Sequence, residues 1–230
     1  MQLLKISIIF IILFYFNNEI YAQFGSSSED EDIGIYIGLQ GGYATYDIKS
    51  IIDARNKSIL SLPFNAKITD DYPENPYFHG EILLLLHDFE LGASLSLIST
   101  GTRVYYADYS GEYKFDNVIS NFEYGIIIKT PGASETQPFK VQLSGEIGVS
   151  SVDIKSTEYL RVFNDSESNS DIFNNKILFF EFGVKLNYYF EGIIASVGAS
   201  YVVEPQKELT ISFEGLRGHL TLGYKLQHIF

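Results

Sequence analysis

The feature that most constrains this chain is a strict alternation of apolar and polar side chains, clearest over residues 214–230. Leu216, Leu220, Leu222, Tyr224, Leu226 and Phe230 share one parity, with Gly218 and His228 between them. Arg217, His219, Thr221, Gly223, Lys225 and Gln227 share the other. Side chains on a β-strand alternate between two faces, so this segment reads as a strand with one apolar and one polar face. The same period recurs in seven earlier segments: residues 33–46, 77–86, 89–99, a run ending at Lys129, 139–150, 178–188 and 193–201. Eight alternating strands predict an all-β, antiparallel, up-and-down barrel.

The connections sort into two sets. His87-Asp88, residues 130–138 and Glu191-Gly192 are short, whereas residues 47–76, 105–116, 152–175 and 203–213 are longer and more polar. Short turns on one side and long loops on the other match a barrel that crosses a membrane. A soluble barrel would carry the same period with its apolar face inward. Two details favour the membrane version. The polar face is small, rich in Gly and Ser, as the inside of a narrow barrel requires. Aromatics gather near strand ends: Tyr43, Tyr77 and Phe78 on the loop side, and Phe89, Phe139, Tyr188, Tyr189, Phe190 and Phe230 on the turn side, as two interfacial girdles. Residues 58–68 are apolar enough to fold over the barrel mouth or to extend a hairpin, which makes ten strands the runner-up count.

Residues 1–22 read as a cleaved signal peptide: Lys5, then an apolar run over residues 6–16, then Ile-Tyr-Ala before Gln23. Residues 23–32, Ser-rich and acidic, read as a flexible periplasmic tail, and residues 33–230 as the barrel. The chain has no cysteine, which removes disulfides and thiolate metal sites. Its net charge of −13 argues against a nucleic-acid partner, because phosphate binding needs clustered Lys and Arg.

With its leader, its eight alternating strands and its final Phe230, the chain resembles the small bacterial outer-membrane barrels of the OmpA and OmpX type, often described as porin-family proteins. The resemblance implies an outer-membrane location with both termini periplasmic, and an end signal (Tyr224, Leu226, Phe230) read by the barrel-assembly machinery. Outer-membrane lipid and lipopolysaccharide are the implied surroundings, with surface or secretion-machine proteins as further partners. No family-specific motif transfers functional residues.

Parity places Glu81, Glu90, Glu123, Glu146 and Glu181 in the lumen with Lys129, Lys140, Lys185, Arg217 and Lys225. Buried ions survive when paired, so these read as a salt-bridged plug; a narrow ion path along the same charges is the alternative. A turn centred near Ser134 would set Glu123 level with Glu146 and Lys129 level with Lys140. Arg217 and Lys185 are the bases expected between the carboxylates. A lipid A-modifying enzyme would need a Ser beside His79 or His219, with Ser99 and Ser200 at similar heights. The spacing carries no such arrangement, and no catalytic residue is assigned. The acidic loops lack calcium-loop spacing and read as solvated, so neither metal nor cofactor is expected. The functional expectation is a structural or surface-interaction barrel; a small porin is second, and the enzyme third.

Overall fold

The computed structural model describes residues 34–45, 49–62, 64–72, 76–109, 111–163, 165–205 and 212–226. The leader, the tail, Phe230 and its role in the end signal lie outside these residues. Ten elements follow in chain order: β1 (Gly34–Ala44), α1 (Lys49–Ser61), β2 (Lys67–Asp70), β3 (Pro76–Leu85), β4 (Glu90–Ala107), β5 (Gly111–Lys129), β6 (Phe139–Val162), β7 (Asp165–Phe190), β8 (Ile193–Val203) and β9 (Gly215–Leu226). All neighbouring strands pair antiparallel. β1 pairs with both β3 and β9, and the ring β1-β3-β4-β5-β6-β7-β8-β9 closes with eight members. The four-residue β2 joins the outer end of β4 and stays outside the ring. Among the described residues the ring has eight strands rather than ten, and the first loop carries α1 and the short β2.

The two faces of the wall are inverted relative to a soluble barrel. Leu39, Phe78, Leu95, Ile126, Val141, Leu186 and Leu222 point outward and are largely exposed. Glu81, Glu123, Lys129, Lys185 and Arg217 point inward and are buried. Only a hydrocarbon surround makes that arrangement favourable, so the ring is a membrane-spanning barrel. The apolar band has a readable upper limit. Above Leu97, Phe122, Val149 and Leu178 the outward positions become Ser99, Ser120, Ser151 and Lys176, then Arg103, Asp116 and Asp153.

At the turn side, Glu191 (φ 47°) and Gly192 (φ 85°) both sit in the left-handed region. That is the two-residue hairpin turn whose twist suits the flanking strands. The turn between β5 and β6 departs from the register expected around Ser134. Lys129 pairs with Ser144 and Glu123 with Ser150, while Glu146 lies opposite Ile127. The reason is an asymmetric tuck. Gly132 N–H donates to Glu90 at 2.8 Å, Thr130 N–H reaches Leu143 O at 2.9 Å, and Ala133 is fully buried in the barrel end.

The interior has three layers. At the turn end, Tyr36, Leu83, Leu85, Ile127, Ala133, Tyr189 and Ile194 form an apolar layer. At the loop end, Ala44, Tyr77, Ile98, Ile119, Val152, Ile177 and Phe213 form another, with Ile51 and Ile52 of α1 packed on it. Glu81, Glu123, Glu146, Glu181, Lys185 and Arg217 lie between. Tyr77 is therefore no girdle residue: its parity is that of His79 and Glu81, and it is 1% exposed against Arg217 and His219. Tyr189 likewise turns inward. Tyr43, Phe78, Phe139, Tyr188, Phe190, Tyr224 and Leu226 face outward, and Phe89 is half-buried in the turn before β4. Each fully buried Ile or Leu is worth about 1.5–3 kcal/mol over exposure to water. Buried ion pairs roughly break even against desolvation. The two apolar layers thus supply stability, and the charges between them fix register.

Candidate functional site

Two regions carry chemistry: the middle of the lumen and the sheet that rises above the membrane. In the lumen, Arg217 is the hub. Its Nη1 donates to Glu123 at 2.8 Å and to Glu181 at 2.9 Å, and its Nη2 donates to the second oxygen of Glu123 at 2.7 Å. This forked pairing is the arrangement an arginine makes best. A second group centres on Glu81. Lys129 donates to it at 2.5 Å, Lys185 lies 3.5 Å away and also donates to Gln40 at 2.8 Å, and His79 Nε2 lies 3.4 Å from its other oxygen. Glu146 takes a different partner, the Ser94 hydroxyl at 2.6 Å. Glu90 accepts from Gln142 at 2.8 Å as well as from Gly132. Lys140 and Lys225 are half-buried at the turn-side rim.

Of the two bases expected between Glu123 and Glu146, Arg217 bridges Glu123 and Glu181, not Glu146, and Lys185 serves Glu81 instead. His79 Nδ1 is 2.8 Å from Ser96, a serine the sequence reading did not single out. Ser99 lies on the outward face and takes no part. The Ser96-His79-Glu81 chain is sealed between the two apolar layers, where no lipid reaches it. His219 is 5% exposed and edge-on to Tyr77 at 6.5 Å.

The second region was read as two loops, residues 105–116 and 152–175. It is instead a continuous sheet. A tilted strand crosses a membrane in roughly 9–11 residues. β6 has 24 residues and β7 has 26, so both run far past the apolar band. β4 and β5 stay paired up to Ala107 and Glu112, and β6 and β7 up to Val162 and Asp165. Ion pairs stud the outward face of this sheet: Arg103 with Asp116 at 2.6 Å, Lys114 with Asp116 at 3.0 Å, and Arg161 with Glu112 at 3.3 Å. On the inward face Phe64 of the first loop stacks on Tyr106 at 4.6 Å, and Arg55 of α1 donates to Asp71 at 2.6 Å and to Thr102 at 2.8 Å.

The two edges of the projecting sheet differ. On one side β2 pairs with β4 at Lys67, Ile68 and Asp70. On the other, β7 meets β8 only from Phe180 to Phe190. Along residues 165–179, no strand among the described residues pairs with the far side of β7. That leaves roughly 50 Å of backbone donors and acceptors at ~3.3 Å per residue. Asp165, Glu167 and Asp171 share one face of this edge, and Ser166, Ser168 and Ser170 share the other.

The chain matches no family model and no curated protein. Among solved structures it is similar to Ail, the attachment invasion locus protein of Yersinia pestis, at 15% identity and a TM-score of 0.34, covering 86% of this chain and 100% of that one. It is also similar to the N-terminal β-barrel domain of OprF from Pseudomonas aeruginosa, at 15% identity and a TM-score of 0.35, covering 84% and 97%. At that level of similarity the eight-strand ring rests on its own strand pairing.

Proposed function

We propose that this chain is a bacterial outer-membrane barrel with a surface-interaction role. In this reading the sealed barrel is an anchor, and the projecting sheet binds partner segments by strand addition along residues 165–179. The observation that carries the reading is the asymmetry of the sheet: among the described residues one edge is covered by β2 and the other is left open. An added strand gains main-chain hydrogen bonds along its length, and the side-chain pattern of the edge sets its preference. Acidic Asp165, Glu167 and Asp171 on one face favour a strand with Lys or Arg at alternate positions. The two apolar layers count against a narrow channel, and the sealed position of His79 and Ser96 counts against chemistry on lipid A.

Two single variants test the reading, Ser168→Pro and Asn169→Pro. One of these adjacent residues points its N–H away from β6, and proline there removes an edge donor without touching the β6–β7 ladder. Binding of extended basic peptides to the refolded barrel in nanodiscs should fall at least several-fold in that variant only. Equal binding by wild type and both variants would overturn edge recognition.

A further inference from the structure

A small pocket of ≈220 Å³ lies above the membrane, between α1 and the inward face of the projecting sheet. Its walls include Ile51 and Ile59 of α1 and Phe115 of β5; Arg55, Asn117 and Glu158 line it together with the hydroxyl-bearing Ser58 and Tyr113, each of which has a partner of its own. The polar groups are unequal. Arg55 is largely matched: its charge is paired with Asp71, and four of its five N–H groups donate, to Asp71 and Thr102 from Nη1 and to Asn56 from Nε and Nη2. Asn117 is only 8% exposed; its Nδ2 donates to Ser156 at 3.2 Å, while its carboxamide oxygen is buried with no hydrogen-bond partner. Glu158 receives the Tyr113 hydroxyl and keeps further lone pairs.

The unmet capacity of this pocket is therefore mainly acceptor, beside an aromatic wall, and because Asp71 offsets the charge of Arg55 the net charge left is that of Glu158. An anionic ligand would meet Glu158. A neutral apolar ligand would leave the Asn117 oxygen buried and unpaired, at a cost of order 1–3 kcal/mol. A cation with several N–H donors satisfies both groups and gains from the face of Phe115 or Tyr113. Volume limits the choice further. Pockets for drug-sized molecules run ~300–1,000 Å³, so this one holds a single short alkyl chain with its head group. Nearby, Glu167 and Asp171 share the inward parity of Glu158 and deepen the negative potential.

We infer that this pocket binds one primary ammonium or guanidinium group on a short apolar stem, with Glu158 and Asn117 as the acceptors. The group belongs either to a free diamine or to a Lys or Arg side chain of a bound protein. The site is separate from the β7 edge and stands whether or not strands add there.

The test uses the barrel refolded in detergent, with folding checked by gel mobility before and after boiling. Three probes are titrated by NMR or calorimetry: cadaverine, agmatine and Nα-acetyl-lysine amide. At least one is expected to bind saturably. Glu158→Gln should weaken it about tenfold, as the loss of one charge-assisted hydrogen bond predicts. Asn117→Leu should weaken it several-fold, and Glu112→Gln, on the outward face, should leave it unchanged. Saturation by the free diamines identifies a soluble amine as the source, and saturation by the lysine amide alone identifies a protein side chain. No saturable binding by any probe, or equal binding by wild type and Glu158→Gln, would overturn the inference.

Discussion

Glu146 and Glu181 stand directly opposite each other across the β6–β7 ladder, both buried, and of the two it is Glu181 that Arg217 bonds. Two carboxylates at one level repel, and against that cost Glu146 accepts the Ser94 hydroxyl at 2.6 Å. Glu146→Gln keeps an acceptor for Ser94 and removes one of the like charges. Its urea midpoint in detergent should equal or exceed that of the wild type. Arg217→Leu should instead lower stability by roughly 3–5 kcal/mol, because Glu123 and Glu181 lose their shared cation. A variant order opposite to this would show that the two glutamates are not coupled.

The layered interior makes a prediction about conduction. In planar bilayers the refolded barrel should show no steady unitary current. Phe213→Ala opens the loop-end layer but leaves Tyr36, Leu83 and Ile127 in place at the other end, so it too should stay silent. Current through either protein would mean that the layers part on the timescale of the measurement.

Glu204 follows β8 at the barrel mouth, 3% exposed, and accepts from Ser212 at 3.0 Å and from the Phe213 N–H at 3.2 Å. Burial, helped by the nearby charges of Glu123 and Glu214, pushes its carboxyl up to about 7. The unfolded chain then loses this proton at lower pH than the native chain. Native stability falls as pH rises from about 4.5 to about 7 and is flat on either side. Glu204→Gln carries no such penalty. The difference in urea midpoint between Glu204→Gln and wild type should grow in favour of the variant across that window and hold constant outside it. A difference independent of pH would remove Glu204 as the cause.

Gly38 and Gly223 flank the Tyr36 ring. A Cβ at Gly38 would lie 2.6 Å from the Tyr36 hydroxyl, and one at Gly223 would collide with the ring itself. Gly223→Val should block formation of the compact, heat-modifiable barrel band. The double variant Gly223→Val with Tyr36→Ala should restore much of it, since the added methyls then occupy the vacated ring volume. Failure of the second change to help would point to a backbone cause.

What could be read from the sequence follows where a membrane or a core imposes a period. Inside the apolar band each outward residue meets hydrocarbon and each inward residue meets a neighbour, so β6 and β9 were legible from Val141 and Leu222 onward. Above the band the outward face of β6 and both faces of β7 meet water. Selection for alternation stops there, and residues 152–175 looked like a loop although pairing continues to Asp165. The apolar layers hid for a related reason. At Leu83 and Ile98 both parities are apolar, which blurs the period and conceals a sealed end. Arg217 could be found by parity alone. Of its two partners, Glu123 is one of the carboxylates expected beside it, whereas Glu181 stands where Glu146 was expected, because the tuck at Gly132 and Ala133 shifts the β5–β6 register by an amount that no local pattern reports.

The four residues of β2 have an effect out of proportion to their length. By occupying the β4 side they leave, among the described residues, the β7 side as the one open to another strand. Two copies joined through residues 165–179 would exhaust each other's free side and close on a two-fold axis. Growth would end there, at a pair, with no route to a fibre.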